Sequence, residues 1–176
     1  MSDEWRGLAD MVAEHAQNYL DGLTRIARGE GGDATLPLLL VEVSQISLAG
    51  AQLGASQDVI LSGNWEPPLN ADLDMDEIRT ALADRLGPVD DYAEVFDPYK
   101  DTSVTPYRLS DDLTAVAADL LHGLGHYRAG RPYEALWWWQ YSYFNTWGNH
   151  VGAAMRALQA LVAHTRLDVV EEQTPA

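Results

Sequence analysis

The chain of 176 residues carries 27 acidic against 11 basic side chains, a formal net charge of −16 at pH 7. Nucleic-acid phosphates are held by clustered arginine and lysine, so this balance excludes direct nucleic-acid binding. The absence of cysteine removes disulfides, thiolate metal sites and cysteine nucleophiles together, and fits a cytoplasmic address.

With 47% hydrophobic and 22% charged residues, the composition is that of a globular protein. The length suits one domain, expected over residues 1–170 with a disordered tail at 171–176. The opening MSDEWRGLAD is acidic and amphipathic, where a secretory signal would be basic and then uniformly apolar. The densest apolar run, Leu36 to Val41, meets Glu42, so no membrane span is expected. Gly54 to Asp112 holds fourteen acids against four basic residues, whereas Leu113 to Leu167 holds two against four. Such an acidic middle third predicts a solvated face; a docking face for a basic partner, or a mimic of nucleic-acid charge, is the sharper reading.

Ser2 or Asp3 can cap a first helix whose apolar positions, Trp5, Leu8, Val12, Ala16, Tyr19, Leu23 and Ile26, keep helical spacing to Arg28. RGEGGD breaks it; with no strand before and no Gly-Lys-Ser after, its glycines predict a turn and not a phosphate loop. A second helix spans Leu36 to Leu53. LPLLLVEV at its start is apolar nearly all round, which predicts a central helix enclosed by others. Glu42 there needs a cation or a donor, because an unpaired buried charge is too costly. Gly54 to Asp74 predicts a long irregular loop. Asp72, Asp74 and Asp76 alternate as in a calcium loop, but Glu77 stands where the turn glycine belongs and Ala83 where the bidentate glutamate belongs. Asp74 with Glu77 instead forms a capping box for a short helix through Leu86, closed by Gly87 and Pro88.

Asp90 to Asp101 interleaves Tyr92, Val95, Phe96 and Tyr99 with acids and predicts an irregular crossing segment pinned by its aromatics, without a strand of consequence. Ser110 caps a helix from Asp111 to about Ala129. Along its edge Asp112, Asp119 and His126 recur at sevens, with His122 one turn before His126. Two histidines at i and i+4 beside an aspartate can chelate a metal, but Glu-x-x-His pairs are absent and the stripe predicts a helix rim, so no metal or other cofactor is expected.

Gly130 to Thr165 predicts one long helix, with Pro132 at its first position, Glu134 in its first turn and four of the six tryptophans on it. Projection at 100° per residue places Leu136, Gln140, Tyr143, Trp147, His150, Val151, Ala154, Leu158 and Leu161 on one face. Gln140 and His150 carry polar atoms on that stripe and must find partners. They either fix helix register or line a pocket, where His150 can act as acid, base or ligand.

The pieces LLLVEVSQISLAGAQLG, DYAEVFDPY, LSDDLTAVAADLLHGLGHYRAGRPYEALWWWQYSYFNTWGNH and AAMRALQAL together resemble an uncharacterised bacterial family, domain of unknown function 5063 (DUF5063). The resemblance spans most of the chain and implies an all-helical fold with no assigned activity. YRAGRPYEAL also resembles the turn of one tetratricopeptide unit, with Ala135 at the small position, but no second copy is present and a solenoid needs about three.

The expected fold is an all-α single-domain bundle of five or six helices with a long C-terminal helix, its centre formed by Leu36–Leu53 and Tyr133–Thr165. Two functions follow. The first is a non-enzymatic cytoplasmic module acting through an unidentified protein partner or a second copy of itself, with Trp138 on the face opposite the apolar stripe as anchor. The second is a small-molecule site or enzyme whose pocket gathers Glu42, Gln45, Asp119, Gln140, Tyr143 and His150 between the central helices.

Overall fold

The computed structural model describes residues 3–61, 63, 73–95 and 97–171. Ser2, Phe96, residues 62 and 64–72 of the loop from Gly54 to Asp74, with Pro67, Pro68 and Asp72 among them, and the tail beyond Glu171 lie outside the described residues. Six α-helices and one hairpin follow in the order α1 (Asp3–Ala27), α2 (Thr35–Ala55), α3 (Met75–Leu86), β1 (Asp91–Glu94), β2 (Thr105–Arg108), α4 (Leu109–Arg128), α5 (Pro132–Ser142) and α6 (Gly148–Glu171). The fold is mostly helical with a long C-terminal helix, as expected.

Each boundary has a local cause. Asp74 accepts from the backbone N–H groups of Asp76 and Glu77 and so starts α3, and Gly87, at φ 55°, ends it. α4 starts differently from the expectation. Ser110 is already inside the helix, and its backbone N–H and hydroxyl both donate to the buried carboxylate of Asp90, at 2.7 and 2.8 Å. Asp90, held in turn by Arg108 at 3.1 Å, is therefore the cap, supplied from outside the helix.

Within the acidic aromatic segment, Asp91–Glu94 is one strand of a small two-stranded hairpin. β1 and β2 pair antiparallel, with Tyr92 opposite Tyr107 and Asp91 opposite Arg108. Alternation buries one side only: Tyr92 and Glu94 are half-buried while Asp91 and Ala93 face solvent. The tyrosine pair, ring centroids 5.9 Å apart, and the Asp91–Arg108 ion pair hold the register.

α2 lies against α1 on one side and α6 on the other. Leu39, Val43, Ile46, Ala49 and Leu53 are fully buried, but the helix is not enclosed as expected. Leu38, Val41 and Leu48 are 40, 50 and 59% exposed. Glu42 does not interrupt its apolar character enough, and the segment Gly32–Ala55 is long and apolar enough to cross a membrane by length and composition alone.

The C-terminal rod is not one uninterrupted α-helix. Between α5 and α6, Tyr143–Trp147 forms a π-helical turn. Side chains take up the carbonyls that this looser turn frees. Ser142 donates to Trp138 O, Asn145 to Tyr141 O, Thr146 to Ser142 O and the Trp147 indole to Trp139 O. Gly148 permits it, since a Cβ there would lie 2.4 Å from the carbonyl oxygen of Tyr143. The extra residue rotates the buried face, so Trp139, missing from the projected stripe, is fully buried. Its indole rests on Gly123 of α4 and donates to Leu120 O at 3.2 Å.

Candidate functional site

Asp112, in the first turn of α4, is a buried carboxylate only 2% exposed. Two side chains from different elements meet its carboxylate. The Tyr92 hydroxyl of β1 donates to Oδ2, and His150 Nδ1 of α6 lies 2.7 Å from Oδ1. A carboxylate only accepts, so the imidazole proton sits on Nδ1 and the bond fixes the ring. Burial first, and then the bond to Asp112, push the Tyr92 phenol well above its ordinary value, so it stays a donor.

His150 stands three residues after the π-turn, and π-turns recur at functional positions. With Nδ1 engaged inward, Nε2 is the nitrogen left for a ligand. His150 lines a recess of about 220 Å³ together with Glu94, Val95, Tyr107, Asn149, Gly152 and Arg156. Arg156 binds Glu94 through Nε at 3.0 Å and Nη2 at 2.8 Å, and the Val95 N–H takes Glu94 Oε1 at 2.9 Å. The Glu94 oxygens are thereby occupied, whereas Nη1 of Arg156 takes no part in the pair. Gly152 has nothing within 4 Å of the place a Cβ would occupy, so it leaves one wall of the recess open.

The six residues expected in one pocket are not gathered there. Glu42 packs on Gly22 of α1, where a Cβ would lie 2.3 Å from its carboxylate. Burial raises its pKa, and Arg25 partly offsets this. Gln45 is exposed. Gln140 is a structural tie: it accepts from Val59 N at 2.8 Å and donates to Leu53 O and Gln57 O, which anchors the chain leaving α2. Tyr143 covers Gly50 and Gly54. Asp119 accepts from the Thr146 hydroxyl; its pKa is raised by burial, against lowering by Thr146, His150 and His122. Of the set, Asp119 and His150 feel each other, and Gln140 and Tyr143 both pack on the C-terminal end of α2, so the six divide among separate places. Tyr19, fully buried and donating to Leu113 O, feels both Glu42 and Asp112, and its ring stands where a shared cavity would have been.

Trp138 is not a free anchor. It is half-buried, donates to Asp119 O at 3.0 Å and packs against the His122 ring at a tilt of 34°, with centroids 3.9 Å apart. The rim expected along α4 is likewise overturned, since Asp112 and His126 are each 2% exposed. His126 lies 3.5 Å from Glu134 across the α4–α5 turn. Among the described residues no group of three or more His, Asp or Glu side chains is arranged to hold a metal.

Asp112, Tyr92, Glu94, Asn149 and Arg156 come to the site without having been singled out for it. The available signals were the alternation in DYAE and the polar WGNH step after the tryptophan run.

The model of the family described as Domain of unknown function (DUF5063) matches residues 3–164. The chain belongs to this family. No curated protein matches this DUF5063 chain. Its fold is similar to the crystal structure of protein BF1032 from Bacteroides fragilis, with a TM-score of 0.70 at 19% identity, covering 86% of this chain and 89% of that one. At that identity the likeness speaks for the fold alone.

Proposed function

We propose that this DUF5063 chain binds a small polar anion in the recess at His150, with the imidazole poised to exchange a proton with it. The observation that carries this reading is the buried Asp112 holding His150 Nδ1 at the edge of an open recess. A structural tie alone would need no adjoining space. The volume, about 220 Å³, is below the roughly 300–1,000 Å³ of drug-sized sites and suits a ligand of a few heavy atoms. The Glu94 oxygens are taken up by Arg156 and Val95, so Arg156 Nη1 is the cationic donor left at the recess, beside the Asn149 amide and the Tyr107 hydroxyl, each able to donate. A carboxylate or phosphate at Arg156, with a hydroxyl within reach of His150 Nε2, satisfies both.

A thermal-shift and NMR screen of small hydroxycarboxylates and phosphate monoesters tests it. A stabilising ligand is expected, and its effect should vanish in His150→Ala and in Gly152→Leu, which fills the recess without touching the dyad. Stabilisation that survives Gly152→Leu, or no ligand from either class, refutes it.

A second reading, a protein-contact module, is favoured by the aromatic ledge of the rod. Trp137 stacks on Tyr141 at 5.4 Å and 11°, and Tyr141 and Phe144 are 52 and 55% exposed. Aromatic side chains so placed are typical interface anchors. A partner recovered at native expression and lost on Tyr141→Ala with Phe144→Ala supports this reading; recovery of none counts against it.

A further inference from the structure

We infer that the groove along the outer edge of β1 takes an extended peptide whose C-terminal carboxylate ends at Arg156; this rests on the anion reading of the His150 recess and names the class of the anion. A groove of about 700 Å³ runs between β1 and α6. All four residues of β1 line it and none of β2 does, so it follows the side of β1 turned away from its partner strand. Opposite residues of an antiparallel pair alternate between exchanging both main-chain bonds and exchanging none. The Leu109 N–H donates to Asp90 O at 2.9 Å, and the register carries that bonded pairing on to Tyr92 with Tyr107 and Glu94 with Thr105. The N–H and C=O groups of Asp91 and Ala93 therefore point away from β2, on the groove side. Ala93 stands opposite Pro106, whose missing N–H closes the matching position on the outer edge of β2. The hairpin thus keeps one edge able to pair, and the groove lies beside that edge.

Main-chain groups left at strand spacing recognise another extended main chain, which answers each donor with an acceptor and each acceptor with a donor. An acyl chain leaves them unmet. Glu94 and Arg156 line both the groove and the recess at His150, so the two spaces adjoin. The recess, about 220 Å³, has room for a few heavy atoms, and a chain that enters it from the groove ends there. Of the two ends of a peptide, Arg156 Nη1 selects the carboxylate over the ammonium. That end lies beside Glu94, the last residue of β1, so the peptide runs parallel to the strand. Alternate side chains of the added strand face α6, where Ala157 and Ala160 leave room and Leu161 supplies apolar surface.

The probe is the N-acetylated pentapeptide Val-Ala-Val-Ala-Ser with a free carboxylate, its last residue bringing a hydroxyl to His150, titrated by NMR. Binding is expected to slow hydrogen exchange at the Asp91 and Ala93 amides. It should weaken on the order of tenfold when the peptide carboxylate is amidated, when Ala93→Pro removes the edge N–H while sparing the ladder to β2, and when Ala160→Phe fills the groove from the exposed side of α6. Uptake of a hydroxycarboxylate or phosphate monoester by the recess should be unchanged in Ala93→Pro, since Ala93 does not line it. Binding indifferent to the amide or to both variants overturns the inference. No binding of the pentapeptide by a chain that still takes up a small anion overturns it and leaves the recess reading standing; a chain that takes up neither loses both. A dimer in sedimentation that Ala93→Pro returns to a single chain also overturns it, because the edge then belongs to a second copy.

Discussion

Asp112 is the residue whose loss separates a structural role from a chemical one. In Asp112→Ala the Tyr92 hydroxyl and His150 Nδ1 both lose their acceptor. Hydrogen bonds to a charged group contribute about 1.5–3 kcal/mol each, and breaking a buried pair costs about 3–5 kcal/mol. His150 is 27% exposed and recovers part of its loss by turning to water, so the lower end applies, about 3 kcal/mol. For a chain of this size that lowers the melting temperature by roughly 6–12 °C. Asp112→Asn keeps the shape. Its carbonyl can accept from Tyr92 and its amide can donate to His150 Nδ1, so stability falls by only about 1 kcal/mol. The donor at the imidazole is reversed, however, and the ring proton moves to Nε2. Urea denaturation measures the first effect and nitrogen chemical shifts of the His150 ring measure the second. Asp112→Ala melting within 1 °C of wild type, or an unchanged imidazole tautomer in Asp112→Asn, refutes the assignment of Asp112 as the group that orients the ring.

Two glycines on helices should respond oppositely to alanine. Gly123→Ala places a Cβ 2.0 Å from the buried Trp139 indole nitrogen and should destabilise by about 1–3 kcal/mol in a urea titration, whereas Gly152→Ala, with open space around it, should stabilise by up to about 1 kcal/mol. Asp90→Ala removes the cap of α4 and its ion pair with Arg108, with an expected loss of about 2 kcal/mol by the same assay; the loss should be largely restored in Asp90→Asn. Burial raises the Glu42 pKa, so its protonated form is the one the fold prefers. That contribution is fully present below the ordinary value of 4.5 and is lost as pH rises through the folded-state value. Glu42→Gln should therefore be more stable than wild type at neutral pH, and the gap should close as pH falls toward 4.5; a constant gap across pH would contradict it.

The helices were legible because periodicity and caps are local. The capping box at Asp74 and Glu77, the glycine breaks after α1 and α3 and the proline opening α5 each act within a few residues. The misses were non-local. Asp90 caps a helix twenty positions on, and Tyr92 and Tyr107 pair across a turn, so neither shows in a window of neighbours. Composition made α2 look enclosed, but apolar residues on an outer face and on a buried face read alike. His150 was rightly suspected of needing a partner, yet the sequence offered Glu42 and Asp119 as readily as Asp112. What decides among them is the phase of the rod, and the π-turn that sets this phase has no signature in residue spacing.

The π-turn makes the dyad depend on a count. A helix advances about 100° for each residue, so one residue lodged in the looser turn swings everything after Trp147 around the axis by that amount. Excising a single position there, Asn145 for example, would let the backbone relax into an ordinary spiral from Pro132 onward. The lost residue and the lost looseness cancel, so His150 still faces Asp112 and Arg156 still faces Glu94, whereas one residue removed from the regular part of α5 would turn both away by about 100°.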